Sequence, residues 1–74
     1  MNIKEEVINL KAKQRMLKLM FKRKERKLTQ NELGKKVGIL GKTIHLYEVG
    51  ERQPSPMMLR ALADALECTI DEIV

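Results

Sequence analysis

"LTQNELGKKVGILGKTIHLYEVGERQPS", residues 28–55, decides the fold. Its small and apolar residues recur too regularly for a loop, yet the stretch is too polar for a buried core. "TQNE" at 29–32 has the form of a capping box, with the Thr29 hydroxyl accepting from the Glu32 amide and the Glu32 carboxylate reaching back to the Thr29 amide. A helix opens there, carrying Leu33 and Val37 at i and i+4, and Gly38 supplies a left-handed residue to end it. Farther on, Ile44 and Tyr47 form a short inward face, and Gly50 offers a second left-handed stop. The helix over 41–49 is thus only about two turns long.

Residues 30–49 form one unit if the two short helices cross at a steep angle. Such a crossing needs a very small residue where the backbones meet, a glycine at the turn, and apolar residues facing the rest of the domain. Gly34 meets the first need, Gly38 the second, and Leu33, Val37, Ile39, Ile44 and Tyr47 the third, all in one register. The unit reads as a helix-turn-helix rather than a generic helical hairpin.

On the C-terminal side, "QPSP" gives a Ser55 N-cap with Pro56 at the first helical position, after which Leu59, Leu62, Ala63 and Leu66 repeat on one face. "TIDE" at 69–72 is a second capping box and predicts a last short helix with Ile70, Ile73 and Val74. On the N-terminal side, residues 2–26 contain no Gly or Pro and place Ile3, Val7, Leu10, Leu17 and Phe21 at alternating spacings of four and three, interrupted only by Gln14. The pattern predicts one long helix or two abutting ones, whose stripe either covers its own domain or binds a second subunit. The expected division is an N-terminal helical extension over 1–13 and a helix-turn-helix domain over 14–74.

Composition bounds the rest. Seventy-four residues make one domain at most, and a chain this short buries only about 60% of the surface its unfolded form exposes. With 34% charged and 43% apolar residues and only Tyr47 and Phe21 as aromatics, the chain reads as compact and helical. The formal charge of +5 is unevenly spread: residues 11–27 hold nine Lys or Arg against the single acid Glu25, while residues 64–74 hold four acids and no base. A basic face fits a polyanion such as nucleic acid, less often an anionic membrane surface, or is simply solvated.

Other classes are disfavoured. No apolar run approaches the roughly 18 residues of a spanning helix, and Glu5 and Glu6 fall where a secretion signal needs apolar residues, so a cytoplasmic protein without membrane contact is expected. Cys68 has no second cysteine to pair with, and one His plus one Cys do not make a usual metal site. His45 and Cys68 fall in separate short segments with no catalytic motif, which argues against an enzyme. No cofactor is expected.

With "RKERKLTQNEL" at 23–33, "VGILGKTIHLYEVGERQPS" at 37–55 and "LRALADALECTIDEI" at 59–73, the chain resembles the phage repressor and Cro proteins and the related xenobiotic-response-element-type regulators. The resemblance covers residues from about 15 to 74 and implies an all-α, five-helix, lambda-repressor-like DNA-binding domain. In that family the second helix of the motif lies in the major groove of double-stranded DNA with its N-terminal end toward base edges, while the first crosses the phosphate backbone. Carried over, Gly41, Lys42, His45 and Leu46 are the base-contacting positions, with Lys42 donating to guanine and Leu46 packing on a thymine methyl. Gln30, Thr43 and Arg52 are the phosphate-contacting positions. The resemblance also implies a pair between Arg23 and Glu48, which spacing alone does not reveal.

Three positions depart from the family pattern. Leu40 stands where Ser or Thr usually caps the groove helix, Gly41 where a Gln-like base reader is common, and Val49 where an Asn usually meets the DNA backbone. With Leu46, two of them make the supposed DNA face apolar. The implied function is a sequence-specific transcriptional regulator acting as a homodimer on a palindromic operator. The apolar residues support an alternative, a protein-interaction module of the same fold such as an antitoxin or adaptor.

Overall fold

The computed structural model describes residues 15–74, which contain four α-helices and no strand. The helices are α1 (Leu17–Glu25), α2 (Gln30–Val37), α3 (Gly41–Glu48) and α4 (Pro56–Ala65), followed by a single 3-10 turn at Ile70–Glu72. The all-helical expectation is met, but the fifth element is this three-residue turn rather than a helix. Ile73, just after it, is fully buried, whereas Val74 is exposed. The expected N-terminal extension, residues 1–13, lies outside the described residues.

Local chemistry sets the boundaries. At the start of α2 the Thr29 hydroxyl accepts from the Glu32 amide at 3.0 Å, and the Glu32 carboxylate accepts from the Thr29 amide at 2.8 Å, closing the capping box. Gly38 ends that helix at φ 79°, and Gly50 turns the chain after α3 at φ 81°. Ser55 caps α4 by accepting from the Met58 amide at 3.1 Å, with Pro56 in the first turn, where its missing N–H costs nothing. Leu40 precedes α3 with no side-chain cap.

The first helix differs most from expectation. Arg15 and Met16 are not helical, so of the two expected arrangements the single helix over 2–26 does not form, while the segment before residue 15 lies outside the described residues. Nor does α1 bury the apolar stripe read from the sequence, because Leu17 is 45% and Phe21 62% exposed. The buried residues are instead Met16, Leu19 and Arg23, spaced three and four apart. Two residues along a helix are about 200° apart, so burying Leu19 turns Leu17 and Phe21 outward. The charge at Arg23 hid this face from a count of apolar residues.

The core is Met16, Leu19, Leu33, Ile44, Tyr47, Leu62, Ala63, Leu66 and Ile73. Every helix and the final segment contribute, and a large aliphatic side chain fully buried here is worth about 1.5 to 3 kcal/mol. α2 packs against both α3 and α4, while α1 reaches α3 and the 3-10 turn. At the α2–α3 contact a Cβ on Gly34 would lie 2.5 Å from the Ile39 carbonyl oxygen and 3.1 Å from the Gly41 amide nitrogen, so only glycine admits this approach.

Candidate nucleic-acid interface

The electrostatic centre of the site is Glu48, in the last turn of α3. Its Oε2 accepts from Arg23 Nε at 2.7 Å, and its Oε1 accepts from Arg23 Nη2 at 3.0 Å and from Gln30 Nε2 at 3.0 Å. Arg23 Nη1 donates in turn to the Leu28 carbonyl at 2.8 Å. One buried carboxylate thereby ties the end of α3 to α1 and to the first residue of α2. The same guanidinium secures the α1–α2 turn, where Lys27 adopts φ 58°, a conformation uncommon for a residue with a side chain.

Gln30 also approaches His45, with Nε2 3.4 Å from Nδ1. A primary amide has two N–H donors, and one is committed to Glu48. A phosphate contact by Gln30 therefore requires the second donor to leave His45, the longer and weaker of the two contacts.

Around this clamp α3 presents its outer side. Lys42 and His45 are exposed, Thr43 and Leu46 are half-buried, and Arg52 is exposed in the following loop. The Arg52 and Glu51 amides both donate to the Leu46 carbonyl, at 3.2 and 2.9 Å, which holds the loop against the end of the helix. Leu40 is 73% exposed, and Val49 is half-buried. Tyr47 faces inward and belongs to the core.

Gly41 opens α3 but is buried, and it has no side chain to offer a base. The cause is Asn31, on α2: a Cβ built on Gly41 would collide with the Asn31 carboxamide and come within 2.9 Å of the Asn31 Cα. Asn31 itself is exposed. Sequence reading missed this residue, since the only signal was a glycine where a longer side chain is common.

Other chemistry finds little support. Among the described residues no group of three or more His, Cys, Asp or Glu side chains is placed to hold a metal, and no helix is long and apolar enough to cross a membrane. Burial pushes the half-buried Cys68 thiol above its ordinary range, away from the reactive thiolate.

Two short helices locked by a glycine contact, with the second one's polar side turned outward, define a helix-turn-helix domain. The family model described as helix-turn-helix matches residues 19–73, and the chain belongs to that family in its xenobiotic-response-element-type branch. Neither the curated proteins nor the solved structures searched gave a match.

Proposed function

We propose that the protein is a sequence-specific transcriptional regulator that places α3 in the major groove of double-stranded DNA, without a cofactor and in the cytoplasm. The observation that carries this reading is the Glu48 clamp, which fixes α3 from two other helices while leaving Lys42 and His45 exposed. A reading helix has to be held rigidly, because base-edge hydrogen bonds tolerate little misplacement.

In this reading Lys42, His45 and Leu46 meet bases, with Gly41 contributing only backbone, while Gln30, Thr43 and Arg52 meet phosphates. One helix of eight residues covers few base pairs, so useful specificity calls for two copies on a palindrome with half-sites about 34 Å apart. Selecting bound sites from random DNA tests the proposal. A palindromic consensus bound with a steep loss of affinity in salt is expected, and a chain that enriches no sequence would overturn it.

A second reading, a protein-interaction module of the same fold, draws on Leu40, whose 73% exposure leaves a large apolar side chain in solvent, and on the half-buried Leu46 and Val49. Binding dominated by such residues would depend only weakly on salt.

A further inference from the structure

Gly41 and Asn31 form a matched pair: the first lacks the side chain that the second's carboxamide would otherwise strike. From this juxtaposition we infer that Asn31, on α2, is a base-reading residue, supplying an amide at the start of α3 where residue 41 has none. The inference rests on the proposed DNA-binding function and adds to it a specificity residue from outside the groove helix.

Three observations support the assignment. The Asn31 carboxamide lies against the first residue of α3, and the N-terminal residues of a groove helix are those closest to base edges. Among the described residues its carboxamide has no hydrogen-bond partner, so none of them competes for its donors and acceptor. Asn31 is also exposed, although it sits at a helix contact tight enough to exclude a Cβ from its neighbour.

The chemistry of a primary amide then fixes the target. Nδ2–H donates to adenine N7 while Oδ1 accepts from the adenine N6 amino group, a pairing that no other base matches in the major groove. Lys42, a donor only, cannot make it. The two residues would therefore divide the labour, with Lys42 favouring guanine and Asn31 adenine.

The test begins from the site selected by the wild-type chain. Each adenine of that site is replaced in turn by 7-deazaadenine, which keeps the Watson–Crick face and removes only the N7 acceptor, and affinities are compared for wild type and Asn31→Ala. Helical content and melting temperature are recorded alongside, so that misfolding is recognised. For wild type, one adenine in each half-site should show a loss on the order of tenfold. Asn31→Ala should bind the unmodified site about tenfold more weakly and be indifferent to the same replacement. Gly41→Ala, whose Cβ strikes the carboxamide and also crowds the Asn31 Cα, should share that indifference wherever its helical content and melting temperature show it folded. Unchanged sensitivity in a folded Asn31→Ala protein would overturn the inference and leave the DNA-binding reading intact, as would an equal loss on selected and random DNA, the mark of a phosphate contact. If wild type enriches no site at all, both fall together.

Discussion

Arg23 grips Glu48 through both oxygens of its carboxylate, at 2.7 and 3.0 Å, with the two side chains only 9% and 3% exposed. Such a pair is a weak source of net stability, since desolvating two charges offsets most of their attraction, but breaking it from one side leaves an unpaired charge in the core. Arg23→Ala and Glu48→Ala should therefore each cost about 3 to 5 kcal/mol, and the double mutant clearly less than their sum. Denaturant unfolding of the four proteins measures the coupling. Additive losses would mean that the pair does not act as a unit.

Gly34→Ala tests the helix crossing with the smallest possible change. Its Cβ would lie 2.5 Å from the Ile39 carbonyl oxygen, a backbone atom that moves only if the turn moves. Overpacking of this kind typically costs about 1 to 3 kcal/mol, while alanine's better helix propensity returns about 1. Gly34→Leu should be worse, losing the folded state or shifting the melting point by many degrees. A leucine variant as stable as the parent would contradict the close approach.

Acid should loosen the two capping boxes together. The Thr29 amide lowers Glu32, and the Thr69 amide lowers Glu72, from the ordinary carboxylate value of 4.5. With folded pKa values below unfolded ones, the native state binds fewer protons. The stabilisation is therefore complete above about pH 4.5 and is lost as pH falls through the folded values. The double variant Glu32→Gln, Glu72→Gln should show a shallower loss of melting temperature between pH 5 and about pH 3 than wild type. Identical acid limbs would show that these carboxylates are not linked to folding.

Lys42→Ala should weaken binding to the selected DNA site much more than to random DNA. Lys42 is exposed on the outer side of α3, and a good base-edge contact is worth about 1 to 3 kcal/mol of discrimination. Gel shifts on the two DNAs separate the possibilities. An equal loss would make Lys42 a phosphate contact.

What was legible in the sequence follows from how local each feature is. The capping boxes at Thr29 and Thr69, the Ser55 cap and the glycine stops at 38 and 50 involve neighbours in the chain, and residue type with spacing suffices to place them. The inward face of α1 did not follow from spacing, because its third member is an arginine whose burial depends on a glutamate 25 residues away. The contact between Asn31 and Gly41 was equally hidden. It arises where two helices touch, and a glycine in sequence does not say which atom fills its space.

Leu40→Ser should make the protein more stable and less functional. Leu40 occupies the N-cap of α3 with φ −73° and ψ 148°, the extended geometry in which a serine hydroxyl reaches the amides of the first turn. As it stands, the position has no side-chain cap and the leucine is 73% exposed, so the substitution removes little packing and adds a hydrogen bond. A gain of about 0.5 to 2 kcal/mol is expected in thermal or denaturant unfolding. A cap forgone in exchange for an exposed apolar side chain implies that the leucine acts outside its own core, on a thymine methyl if the chain reads DNA or on an apolar partner if it is an interaction module. Replacing the site's thymines by uracil distinguishes these, because it deletes only the methyl groups. Wild type should lose affinity at one thymine to which Leu40→Ser is indifferent, while a thymine met by Leu46 stays sensitive in both proteins. A serine variant that is no more stable than wild type would show that the leucine already contributes to the fold in a way that its exposure conceals.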